Sequence, residues 1–222
     1  MCVFNKHDEY GVQCTIALHV DDLMITSANG KMIESVLAGM IKRYGDITRK
    51  DGPIVNYLGM VFDLTTAGKT RVSMTGYVED MLRENVTRGG ARTPVTEELF
   101  NVRDDSDMVS EEQRVRFHRL AAKMLYLAKR ARSYCLTAVA YLATRVTRCS
   151  LDDLGKLERL LKYMNDMKNR SIVLDGRTQE AAWWSERGVW CTASRRSSRS
   201  SLSQARRRNL LHYLTRLTKH FT

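Results

Sequence analysis

Apolar and polar positions alternate with a period of two over Cys14 to Thr26. Ile16 and Leu18 are separated by smaller or polar neighbours, and Leu23 to Thr26 is again apolar and β-prone. The two runs meet at Asp21 and Asp22, so the segment predicts a β-hairpin over 13–26 with the acidic pair at its tip. The period then changes. Ile33, Val36, Leu37, Met40 and Ile41 recur at spacings of three and four, which predicts an amphipathic helix over 31–44. A second hairpin is expected at roughly 55–64 and 70–74, turning at Ala67-Gly68-Lys69, with Thr75 placed to cap a helix over 76–85. Asp104-Asp105-Ser106-Asp107 predicts an exposed loop. Ser110 with Gln113 and Ser150 with Asp153 have capping-box spacing. The first opens a long helix to about Arg132, and the second a helix with Leu151, Leu154, Leu157, Leu160, Leu161 and Met164 on its apolar face. Strands mixed with helices, followed by helices alone, predict an α+β protein.

Two carboxylates held side by side at a tight turn repel one another, and a divalent cation bound through oxygen ligands relieves that repulsion. Two-metal phosphoryl transfer uses such carboxylates to hold ions roughly 3.5–4 Å apart. Asp also favours turns for local hydrogen-bonding reasons, so the pair alone is more often a solvated turn than a metal site.

The order of motifs along the chain narrows the choice. His19-Val20-Asp21-Asp22 is followed by Leu23-Met24-Ile25-Thr26, then by Gly45-Asp46-Ile47 and Asn56-Tyr57-Leu58-Gly59-Met60. Ser73, Tyr77, Met81 and Leu82 come next, then Thr93-Pro94, the run Leu120 to Ala128, and Leu160-Leu161-Lys162-Tyr163-Met164. From about Cys2 to about Leu174 this succession resembles the reverse transcriptase of copia-type LTR retrotransposons. Its Tyr-Val-Asp-Asp box, Asp-Leu-Gly turn, Tyr-Phe-Leu-Gly-Ile strand, Thr-Pro, Leu-Leu-Tyr-Leu-Ala and Leu-Arg-Tyr-Leu segments fall in the same order. The resemblance implies an RNA-directed DNA polymerase with Mg²⁺ or Mn²⁺ as cofactor, and RNA/DNA template-primer and dNTPs as partners. Asp21 and Asp22 become catalytic metal ligands, and His19 stands where the family has a tyrosine against the primer end.

The departures are as informative. His19 replaces that tyrosine, and an imidazole can stack and hydrogen-bond in its place. The family's Thr-Arg-Pro-Asp-Ile is here Lys129-Arg130-Ala131-Arg132-Ser133-Tyr134-Cys135, without a proline to break the helix. The family's third metal-binding Asp belongs to an earlier palm strand, but only twenty residues precede Asp21, and Asp8 lies in a polar turn, Lys6 to Gly11. The expected domains are 1–95, the distal part of a polymerase palm; 96–109, an acidic linker loop; 110–174, a thumb- or connection-like helical bundle; and 175–222, a basic tail. Such a chain is a fragment, inactive by itself, whose missing upstream Pol portion is a possible partner. A non-catalytic basic nucleic-acid-binding module and an unrelated intracellular α+β protein are the alternatives.

Composition fits a globular intracellular protein: 43% hydrophobic and 27% charged residues, and five scattered cysteines without metal-type spacing. No apolar run is long enough for a membrane span and no signal peptide is evident, so a cytoplasmic or nuclear location without membrane contact is expected. The net charge of +11 is uneven, because residues 177–222 carry nine Arg and one Lys against Glu180 and Glu186. In the body, Lys123, Lys129, Arg130, Arg132, Arg145 and Arg148 decorate two helices and are the candidate phosphate contacts, with a solvated helix face at least as good a reading. Ser194 to Arg208 has no apolar period and predicts a disordered basic arm with few contacts to residues 1–174. Codons for Ser194 to Asn209 can also be chosen so that a shifted frame spells Ser-Ser-Lys-Gln…Ser-Ser-Thr-Glu-Ala-Glu. That run is similar to the family's ribonuclease H segment and implies out-of-frame translation from about residue 177.

Overall fold

The computed structural model describes residues 2–85, 87–103 and 106–175, and the backbone of 189–195. The chain is α+β, as expected, and divides into two compact units. The first contains the described residues up to Val72 together with Val173 to Asp175 and 189–195; the second runs from Ser73 to Ile172. The helix expected after Thr75 thus belongs with the helical unit, whereas the anticipated palm boundary lies at residue 95. No helix among the described residues is long and apolar enough to cross a membrane.

In the first unit, β1 (Cys2–His7), β2 (Gln13–His19) and β3 (Asp22–Ser27) form an antiparallel meander. The β2–β3 hairpin matches its expectation. No strand was expected at β1, whose pattern of half-buried and exposed residues is that of an edge strand with weak apolar alternation. Cys14, Ile16, Leu18, Leu23 and Ile25 share one face of the sheet and pack against Met32, Ile33, Val36, Leu37 and Met40 of α1 (Gly30–Tyr44). Asn29 caps that helix by accepting from the Lys31 N–H at 3.1 Å. Ile41, expected on the apolar face, is half-exposed. The opposite face of the sheet places Ala17 and Met24 against Val55 and Tyr57.

A further strand, β4 (Ile47–Asp51), follows α1 where only a turn was expected. The anticipated long strand over 55–64 is two strands, β5 (Ile54–Tyr57) and β6 (Met60–Asp63), with Tyr57 opposite Met60. Leu58 and Gly59 both have positive φ, 52° and 73°, so they close a two-residue turn rather than continuing the strand. β7 (Lys69–Ser73) and β8 (Ile172–Asp175) complete the second sheet, in the order β5-β6-β7-β8.

The tail expectation is corrected at one segment. Val189–Arg195 forms β9, antiparallel to both β3 and β4, so the first sheet has the order β1-β2-β3-β9-β4. Its ladder with β3 runs from Asp22 opposite Ser194 to Ser27 opposite Val189. Only Ser194 and Arg195 of β9 belong to the stretch read as lacking an apolar period; Val189, Cys191 and Ala193 before it recur at every second position. The remaining tail positions, including Trp183 and Trp184, lie outside the described residues.

The second unit holds α2 (Thr75–Glu84), α3 (Glu111–Ala131), α4 (Leu136–Thr144) and α5 (Leu151–Asp166). Both capping boxes are present. Thr75, by contrast, lies inside α2, whose N-cap is Met74 without a side-chain hydrogen bond. Phe117, Leu120, Met124, Leu127, Leu142, Leu157, Leu160 and Met164 form the buried interior. Leu151, at the start of the predicted apolar face, is instead exposed. Of the acidic loop, Asp104 and Asp105 lie outside the described residues. Ser106 accepts from the Asp152 N–H, and the Asp107 carbonyl accepts from the Leu151 N–H, so part of the loop docks on the start of α5.

Candidate functional site

The β2–β3 hairpin pairs His19 with Asp22, which leaves Val20 and Asp21 as a two-residue turn. Asp21 and Asp22 are both exposed, and His19 is half-buried. Val20 has φ +60°, the left-handed region that a β-branched residue enters only under strain. The common hairpin solution puts glycine at such a position. Strain of this kind persists where the surrounding structure overdetermines it, as it does at functional turns. Beside the tip, the buried Tyr57 hydroxyl donates to the Ala17 carbonyl at 3.1 Å. Burial, reinforced by the negative charge of Asp22, pushes its pKa up to about 12.

Among the described residues, no group of three or more His, Cys, Asp or Glu side chains could hold a metal ion together. Asp8 accepts from the Tyr10 and Val12 N–H groups and from the Asn29 amide, which makes it the organiser of the β1–β2 turn. That turn lies at the other end of β2, about 20 Å from the tip at the usual rise per residue. Asp46 precedes β4 at the tip's end of the sheet, but β4 lies two strand spacings from β3, roughly 10 Å away. Among the described residues, Asp21 and Asp22 are therefore not joined by a third carboxylate at the tip.

The expected phosphate contacts fare unequally. Lys123 is ion-paired with Glu84. Arg130 lies over the Tyr126 ring at 3.6 Å, and Lys129 is exposed. Arg132 is corrected outright, because it is completely buried. Its Nη1 donates to the Ala131 carbonyl at 3.0 Å and its Nη2 to the Lys168 carbonyl at 2.9 Å, which ties the last turn of α3 to the chain leaving α5. Arg132 is also where the helix breaks, with φ −141° and ψ 48°. A proline is therefore unnecessary for the break. Arg145 is likewise engaged, its Nε donating to the buried Asp153 carboxylate at 3.1 Å.

Arg116 and Arg119 were not anticipated. They precede Lys123 and Arg130 at spacings of three, four and seven, so the four cations and Tyr126 follow one stripe of α3. Tyr77 lies against Tyr126 with ring centroids 5.4 Å apart, and its hydroxyl donates to the Lys123 carbonyl. The helical spacing of the basic residues is the signal that would have found the stripe. Comparison of the chain with protein-family models, with characterised proteins and with solved structures gives no match to any of them.

Proposed function

We propose that the chain is a fragment of a copia-type reverse transcriptase, an RNA-directed DNA polymerase, and that it is catalytically inert alone. The observation that carries this reading is the hairpin tip: adjacent exposed carboxylates, Asp21 and Asp22, on a two-residue turn whose Val20 is held at positive φ. The motif order from His19 to Met164 supports it independently. In this reading the first unit is the distal palm, the helical unit is the thumb or connection, and Arg130 with the exposed Lys129 of α3 tracks template-primer phosphates. His19 flanks the primer end. Mg²⁺ or Mn²⁺ would supply charge stabilisation at the tip, but with two carboxylates its affinity is low.

The test is primer extension on a primed RNA template with Mg²⁺ or Mn²⁺, paired with calorimetric Mg²⁺ titration. The expected outcome is no extension and no site tighter than roughly millimolar. Template-dependent incorporation that disappears in Asp21→Asn would overturn the inert-fragment reading. A micromolar site lost on mutation of either Asp would show that further ligands converge there. The out-of-frame origin of the tail is decided by the nucleotides, which must encode the Ser-Ser-Thr-Glu-Ala-Glu run in the shifted frame.

A further inference from the structure

The helical unit contains a hollow that uses none of the hairpin-tip residues. Arg88 on the segment after α2, Arg116 on α3 and Lys162 on α5 line a cavity of about 260 Å³. Three cations from distant parts of the chain thus meet in one place. Of the nearby carboxylates, Glu84 is committed to Lys123 and Glu111 to Arg114, while Glu112 and Glu158 make no ion pair among the described residues. Glu158 is four residues from Lys162 on the same helix, yet the two make no ion pair. Arg116 is oriented by its Nε, which donates to Asn85 Oδ1 at 3.3 Å and leaves the other edge of the fork available. In the same wall the Thr87 hydroxyl is buried and has no hydrogen-bond partner among the described residues. A buried hydroxyl without a partner is a cost that a ligand oxygen would remove.

Asn85 and Arg116 also line a second cavity of about 750 Å³, which adds Arg119 and the apolar Val115 and Leu120. That volume falls within the range of small-molecule sites, roughly 300–1,000 Å³. A guanidinium fork matches phosphate oxygens in pairs, and lysine adds a point charge. We propose that the two cavities form a binding site for a small organic phosphomonoester. The phosphate sits between Arg88, Arg116 and Lys162 and accepts from the Thr87 hydroxyl, and the organic part lies over Val115 and Leu120. A nucleic-acid strand is the poorer occupant, because Glu111, Glu112 and Glu158 also line the cavities. A continuous polyanion running through both meets all three, whereas a single phosphate between Arg88, Arg116 and Lys162 faces only Glu158.

The experiment is calorimetric titration of the full chain at fixed ionic strength with phenyl phosphate, inorganic phosphate and a single-stranded oligodeoxynucleotide. Phenyl phosphate should saturate one site and bind more tightly than inorganic phosphate. Arg88→Gln and Lys162→Gln, both at exposed positions off the α3 stripe, should each weaken it about tenfold. Thr87→Val, which keeps the side-chain shape, should weaken it about fivefold. Lys50→Gln, an exposed position in the first unit, should leave it unchanged. The proposal is overturned if phenyl phosphate shows no saturable binding, if its affinity is indifferent to all three cavity variants, or if only the oligonucleotide binds and loses affinity in them.

Discussion

Val20 and Arg132 show how single side chains can be held in costly states for opposite reasons. Val20 is at the surface with a backbone conformation that suits glycine. Val20→Gly is expected to leave stability unchanged or raise it by up to ~1 kcal/mol, since relief of about 1–2 kcal/mol of left-handed strain is offset by glycine's greater freedom in the unfolded chain. A lower melting temperature in the variant would show that no strain is stored there. Arg132 is buried as a cation with no carboxylate beside it among the described residues, and burial pulls its pKa below the ordinary arginine value. The partial negative charge at the ends of α3 and α5 is its compensation. Arg132→Ala leaves two carbonyls without donors and opens a void, so a loss of about 3 kcal/mol in urea denaturation is expected. The salt dependence of nucleic-acid binding should not change, because a buried guanidinium touches no phosphate. The raised groups set a further expectation: burial moves the thiols of Cys14 and Cys135 to about 11 and about 12, and Tyr57 to about 12. Each is protonated in the folded chain over a range where the unfolded chain has released its proton, so unfolding releases protons there. Stability from these groups is complete below about pH 9 and falls as the pH rises toward 12, which thermal melts across that range will show.

Among the elements, β9 matters most. It pairs along the length of β3 on one side and β4 on the other, and both of those strands run antiparallel to it. Ending the chain after Asp175 would strip backbone partners from β3, inside the sheet, and from β4 at its edge. The expected result is a clearly lower melting temperature for the first unit and concentration-dependent association through the two opened edges. A melting temperature within a degree or two of the full chain, with no association, would show that β9 contributes nothing to stability. The β5–β6 break is the other element-level lesson. Leu58-Gly59 carried the turn signal, since a two-residue loop at positive φ wants glycine. The apolar run from Tyr57 to Phe62 masked it.

On the scale of the whole molecule, the net charge of +11 does not by itself define a nucleic-acid interface. Lys123 is ion-paired, Arg132 is buried, and Arg145 is paired with Asp153, which leaves the rest of the α3 stripe and Lys129 as the accessible basic surface of that helix. Lys129→Gln combined with Arg130→Gln should weaken binding to any sequence alike and reduce the salt slope by about two, one for each phosphate that is no longer neutralised. Filter binding across a salt series tests this, and an unchanged slope would remove the stripe from the interface.

Patterns set by local spacing were legible in the chain itself. The Asp21–Asp22 hairpin, the α1 face and both capping boxes depend on residues within a few positions of one another, and period, turn and cap chemistry encode them directly. Tertiary structure decided the rest. β1 and β4 lack the apolar alternation of a half-buried strand, and β9 joins its sheet from more than 160 residues beyond β3 through backbone groups that every residue carries. The burial of Arg132 was equally hidden, because its partners are the carbonyls of Ala131 and Lys168, and a carbonyl has no identity in the sequence. Local periodicity records which face of an element is apolar. It does not record which distant backbone satisfies a strand edge or a helix end, and those choices are made only when the chain packs.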